Sequence, residues 1–147
     1  MLGLLKNGRV PLLLSRFPVA RSNSRATSQF AKLGLNQNLV DGLEHEHNIT
    51  LPTNVQLDVI PRAINKENLV MAASTGSGKT LAFVLPVLQA LAAQESIGYE
   101  RIQQRPRSLI LVPTRELAQQ VLTTIKLLSH RSKVSSCAVL GGEQYGL

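Results

Sequence analysis

A chain of 147 residues with 44% hydrophobic and 17% charged residues can bury one core and little more, which excludes a wholly disordered protein. A single cysteine, Cys137, excludes an internal disulfide framework, and 3% aromatics without Trp argue against a nucleic-acid reader built on rows of stacked rings. Residues 1–40 hold Lys6, Arg9, Arg16, Arg21, Arg25 and Lys32 and no acid, so they account for nearly all of the net charge of +7 and the remainder is close to neutral.

Residues 1–29 are rich in Arg, Ser and Leu and contain Pro11 and Pro18. Lys6, Gly8 and Arg9 interrupt the apolar patches, so the roughly 7–15-residue apolar stretch of a secretory signal is missing. No run approaches the roughly 20 apolar residues of a membrane-spanning helix. The basic, acid-free composition predicts a flexible segment that acts as a mitochondrial transit peptide. A disordered basic tail is the alternative, with nucleus, nucleolus or cytoplasm as the compartment.

Residues 30–147 are expected to fold. Leu39, Val40 and Leu43 recur at helical spacing within residues 36–47. Thr53 can cap a second helix with Val55, Val59, Ile60 and Ile64 on its apolar side, and Pro61 limits its regularity. Residues 69–72 form a short apolar run that reads as a buried strand. A Gly-rich turn follows, then an apolar helix over 79–93 that Pro86 should kink by removing the bond to the Ala82 carbonyl. Residues 95–107 read as a polar loop, 108–112 as a second buried strand, 115–130 as a second long helix and 133–140 as a third strand. Strands alternating with helices predict right-handed βαβ units and a parallel sheet, an α/β fold. Three strands are few for such a sheet.

The stretch Ala73-Ser74-Thr75-Gly76-Ser77-Gly78-Lys79-Thr80 lies between a predicted strand and a predicted helix, the setting of a phosphate-binding loop. Gly76 and Gly78 let successive N–H groups turn toward phosphate oxygens. Lys79 would meet the β- and γ-phosphates, and Thr80 would offer its hydroxyl to Mg²⁺. The helix that follows aims its N-terminus at the same anion. Ala73 stands where the generic pattern has Gly.

With Ala first, this segment resembles motif I of the DEAD-box RNA helicases. Pro113-Thr114-Arg115-Glu116-Leu117-Ala118-Gln119-Gln120 resembles their motif Ia, and Pro52-Thr53-Asn54-Val55-Gln56 the core of their Q motif. Gly141-Gly142 resembles their glycine doublet. The resemblance spans residues 30–142 and implies an incomplete RecA-like P-loop NTPase domain. It implies that Gln56 bonds the adenine edge, a role an amide with one acceptor and two donors can fill. It also implies that Phe30 packs near the base. Pro113, Thr114, Arg115, Glu116, Gly141 and Gly142 would contact an RNA backbone without reading sequence.

The resemblance implies an ATP-dependent RNA helicase that uses ATP and Mg²⁺, with Lys79 and Thr80 in the catalytic site. The family's acidic Asp-Glu-Ala-Asp motif and its second domain have no counterpart here, and no Asp follows Asp58. The expectation is therefore an N-terminal fragment, inactive alone because it lacks the acid and the arginines that phosphoryl transfer needs. The alternative is a non-catalytic short chain that binds nucleotide or RNA weakly.

Overall fold

The computed structural model describes residues 28–100, 102, 104–132 and 134–142. All but the last two residues of the expected transit segment, and with them its predicted flexibility, lie outside the described residues. Local capping chemistry sets the starts of the first helices. Ser28 accepts from the Phe30 N–H at 3.2 Å and opens α1 (Gln29–Lys32). Asn36 accepts from the Leu39 N–H at 3.0 Å and opens α2 (Gln37–Asp41), which runs directly into a π-helical turn, Gly42–Glu46. The helix expected over residues 36–47 is thus present, its second half wound more widely.

Thr53 and Gln56 form a reciprocal capping box at the start of α3 (Asn54–Ile64), as the Thr-x-x-Gln spacing allows. Two long helices follow, α4 (Lys79–Ser96) and α5 (Arg115–Ser132). Both α3 and α4 continue through an internal proline, Pro61 and Pro86, so neither residue ends its helix. Helix α4 is the centre of the molecule and packs against α3 and α5. Its Val84, Leu85 and Leu88 are buried with Phe30, Leu39, Leu43 and Ile60 from the N-terminal half and with Val121 and Leu128 from α5. Each such side chain contributes roughly 1.5–3 kcal/mol of hydrophobic stabilisation before entropy is counted.

The parallel sheet expected from the sequence is not found: no strand forms among the described residues. The segments 69–72, 109–112 and 134–140 still alternate as strands do, so 69–72 and 108–112, expected as buried strands, are instead exposed at least at every second residue, Val70 fully. Ile110 and Val112 pack against the core while Leu109 and Leu111 are 75% and 84% exposed. Val134 and Leu140 face inward while Cys137 and Val139 are exposed. Burial against the helices fixes this period of two. A ladder needs more, namely a neighbouring segment about 4.8 Å away in register over several residues, and among the described residues none is formed. No helix among them is long and apolar enough to cross a membrane.

Candidate functional site

The phosphate loop leads into the first turn of α4. Gly76 and Gly78 adopt φ of +79° and +88°, a region that L side chains avoid. At Gly78 there is a second constraint, because a Cβ there would stand 2.5 Å from Gln56 Nε2 and 3.0 Å from Thr53 Oγ1. Lys79 begins the helix, and its ammonium donates to the Ala73 and Ser74 carbonyls at 2.7 and 2.6 Å. The loop is thus closed on its own lysine. Ser77 donates its N–H to the Ser74 carbonyl, and its Oγ is buried with no partner.

These features fit an anion. A phosphate oxygen bonds an ammonium more strongly than a neutral carbonyl does, so it can draw Lys79 from Ala73 and Ser74. The same oxygen would satisfy the orphan hydroxyl of Ser77. The N-terminus of an 18-residue helix adds unpaired N–H groups and a positive dipole end. Thr75 and Gly76 at the loop's tip are exposed, which leaves a path in.

Gln56 is only 2% exposed. Its Oε1 accepts from the Thr53 N–H at 3.0 Å, and its Nε2 donates to the Gly78 carbonyl at 3.1 Å. The amide therefore joins the start of α3 to the end of the phosphate loop, and these two bonds leave one N–H and one lone pair of the amide unused. Phe30, expected beside the base, has no exposed surface and packs within the core cluster. Its ring offers no open face for stacking.

The second group of motif residues gathers at the start of α5. Thr114 caps that helix, its Oγ1 accepting from the Leu117 N–H at 3.2 Å and its carbonyl from the Ala118 N–H at 3.1 Å. Arg115 and Glu116 are exposed on the first turn. Gly142, with φ +81°, lies so that a Cβ there would be 3.8 Å from an Arg115 guanidinium nitrogen. The structure thus brings Gly142 to Arg115, although 27 positions separate them in sequence.

Between the two groups lies an open pocket of about 300 Å³, lined by Thr80, Phe83, Ile110, Leu111, Val112, Pro113, Leu117 and Val121. Thr80 from the phosphate side and Pro113 from the other share this wall. No cluster of His, Cys, Asp or Glu able to hold a metal occurs among the described residues. A single Thr80 hydroxyl fits a divalent cation only as one ligand beside nucleotide phosphate oxygens. The sequence reading missed the bond of Gln56 to the Gly78 carbonyl and the proximity of Gly142 to Arg115, and no local pattern signals either one.

Residues 53–146 match the family model described as DEAD/DEAH box helicase. The DEAD-box ATP-dependent RNA helicase 39 of Arabidopsis thaliana is 35% identical over 127 residues, covering 86% of this chain and 20% of that protein. The probable ATP-dependent RNA helicase DDX28 of Homo sapiens is 46% identical over 105 residues, covering 71% and 19% respectively. The chain spans about a fifth of the length of these relatives. Among solved structures, the RNA helicase Prp28 from Chaetomium thermophilum bound to ADP superposes with a TM-score of 0.64 at 33% identity, covering 77% of this chain and 26% of that one.

Proposed function

The chain belongs to the DEAD/DEAH box helicase family, and from that premise we propose that it forms the nucleotide-binding part of an ATP-dependent RNA helicase, folded as a portion of a RecA-like domain. One observation carries the reading. The loop 73–80 combines two left-handed glycines, an ammonium held by loop carbonyls and an unpartnered buried hydroxyl at the start of a long helix.

In this reading Ala73, Ser74, Thr75, Gly76, Ser77 and Gly78 surround the phosphates. Lys79 leaves its two carbonyls for the β/γ-phosphate oxygens, and Ser77 gains an acceptor. Mg²⁺, when bound, neutralises charge that develops on the phosphates, and the Thr80 hydroxyl is the chain's own ligand to it. Gln56 supplies the adenine edge with its remaining N–H and lone pair. Phe30 acts from the core by supporting the α2 region and does not stack.

Pro113, Thr114, Arg115, Glu116, Gly141 and Gly142 form the RNA-backbone side. Arg115 offers a charge-assisted donor, and glycine at 142 lets a phosphate approach that guanidinium closely. The acid-free N-terminus supports a mitochondrial location. Hydrolysis itself needs an acid to hold the metal and an arginine to meet the transition-state charge, groups absent from the phosphate loop.

The test is Lys79→Ala in the intact helicase. RNA-stimulated ATP hydrolysis should fall by roughly 10²-fold or more, because an electrostatic contact to the transferring phosphoryl group is lost. Activity near that of the unsubstituted enzyme rejects the assignment.

A further inference from the structure

We propose that a pocket near the C-terminal ends of α4 and α5 docks an acidic peptide segment of a partner protein, an apolar side chain entering the pocket and the neighbouring carboxylate meeting Arg105 and Arg107. The pocket has a volume of about 190 Å³ and is lined by Tyr99, Ile102, Arg105, Pro106, Arg107 and Ser135. None of these residues belongs to the phosphate loop or to the start of α5, so the pocket is separate from the nucleotide and RNA assignments. Helix α4 leaves the phosphate loop at Lys79 and runs to Ser96. At 1.5 Å per residue that is a rise of roughly 25 Å.

Arg107 is the anchor. Its Nη2 donates to Glu95 Oε1 at 2.7 Å, and its guanidinium lies 5.3 Å from the centre of the Tyr99 ring. The side chain is only 16% exposed, and its Nη1 is buried with no hydrogen-bond partner. A buried donor on a charged group ordinarily has an acceptor, because leaving it unpaired forfeits its hydration for nothing. Ser136 Oγ and Gln94 Oε1 are buried without partners as well. Gln94 is joined to the pocket wall through its carbonyl, which accepts from the Tyr99 N–H at 3.1 Å, and Ser136 follows Ser135.

The rim explains the choice of a peptide. Ile97, Tyr99 and Ile102 are all exposed, and Tyr and Arg together are the residues that most often anchor a protein interface. The Arg105 N–H donates to the Ile102 carbonyl at 3.3 Å, a turn that keeps the apolar side chain close to the cation. The lining holds two arginines and no acid; Glu95 is already taken up by Arg107, and Glu100 does not line the pocket. A cavity of this size takes one side chain, and walls of Tyr99, Ile102 and Pro106 favour carbon, which a phosphate backbone does not offer. The exposed Tyr99 ring turns by one rotamer step to open the way to Nη1. The carboxylate then accepts from Nη1 and from Arg105, two charge-assisted bonds.

The experiment presents the full chain with labelled synthetic hexapeptides, blocked at both ends, that carry one Asp or Glu beside one Leu, Ile or Phe, and reads fluorescence anisotropy. Members of this set should bind, and the same peptides with Asn or Gln for the acid should bind roughly tenfold more weakly. Ile102→Ser, an exposed change that leaves Arg107 and Glu95 paired, should weaken the acidic peptides by a similar factor and leave ATP affinity as it was. Arg107→Lys keeps a cation for Glu95 but loses the second nitrogen, so acidic and amide peptides should bind nearly alike. If no peptide of the set binds, or if acidic and amide forms bind the unsubstituted chain equally, the docking site is wrong. Undiminished binding to Ile102→Ser rejects the apolar anchor. Displacement of the peptide by inorganic phosphate or by a uridine oligonucleotide makes the pocket a phosphate site and overturns the peptide assignment.

Discussion

The two halves of the candidate site are built on different principles. On the nucleotide side, Gln56 is almost fully buried and bonds to both the start of α3 and the end of the phosphate loop. On the side proposed for RNA, Thr114, Arg115, Glu116, Gly141 and Gly142 are all exposed, and the capping bond of Thr114 is local to α5. A group that holds the fold together cannot be removed without disturbing the fold. Binding and stability should therefore be coupled at Gln56 and Gly78 and separable at Arg115. That difference is open to attack by substitution.

The largest effect is expected at Gly78. Alanine there must adopt a left-handed conformation and place its Cβ against the Gln56 amide, 2.5 Å from Nε2. Strain of about 1–2 kcal/mol adds to displaced buried hydrogen bonds, for a total of roughly 2–4 kcal/mol. Denaturant unfolding of the chain would read this as a lower midpoint with an unchanged slope. ATP affinity should fall with it. An unchanged midpoint would mean that the Gln56 side chain moves aside without cost and that the two segments are not coupled.

Gln56→Ala is the next step down. It leaves the Thr53 N–H and the Gly78 carbonyl without their side-chain partner, for about 1–2 kcal/mol. It also removes the nearer of the two obstacles to a Cβ at position 78, leaving Thr53 Oγ1. The two substitutions together should therefore cost less than the sum of each alone, by roughly 0.5–2 kcal/mol in a double-mutant cycle. Strict additivity would break the claim that this side of the site is one unit. In the intact helicase Gln56→Ala should also narrow the preference for ATP over GTP, because base-edge hydrogen bonds are lost.

The sequence made some of this legible and hid the rest for identifiable reasons. The cap at Thr53 was readable because a cap is a local device set by residues a few positions apart. The loop 73–80 was readable because its chemistry lies in consecutive residues. Residues 108–112 read as a buried strand, but an unbroken apolar run carries no period of two, so the exposure of Leu109 and Leu111 against the packing of Ile110 and Val112 was hidden. Pairing of those residues was hidden too, because register depends on a partner segment and not on the run itself. Gln56 reaches Gly78 across 22 positions and Arg115 reaches Gly142 across 27, and no spacing rule in one sequence encodes such meetings. Phe30 shows the limit from the other side. A lone aromatic reads equally well as a ring for a base and as core, and its burial among Leu35, Leu39, Val40 and Leu43 makes it core.

The smallest effect on folding and the cleanest effect on binding should come from Arg115→Ala. The residue is exposed on the first turn of a long helix, where loss of a side chain together with a surface contact ordinarily changes stability by no more than about 1 kcal/mol. If Arg115 meets an RNA phosphate beside Gly142, its removal from the intact helicase should weaken RNA binding to a similar degree for every sequence tested. Removing one such contact should also lower the slope of log affinity against log salt by about 0.7. ATP affinity in the absence of RNA should stay as it was, because Gln56, Ser77 and Lys79 belong to α3, the phosphate loop and the start of α4, not to the start of α5. A fall in the unfolding midpoint as large as that of Gly78→Ala would make Arg115 a structural residue, and the contrast between the two halves would collapse. A loss of affinity confined to one RNA sequence would point instead to a base contact, and the backbone assignment would have to give way.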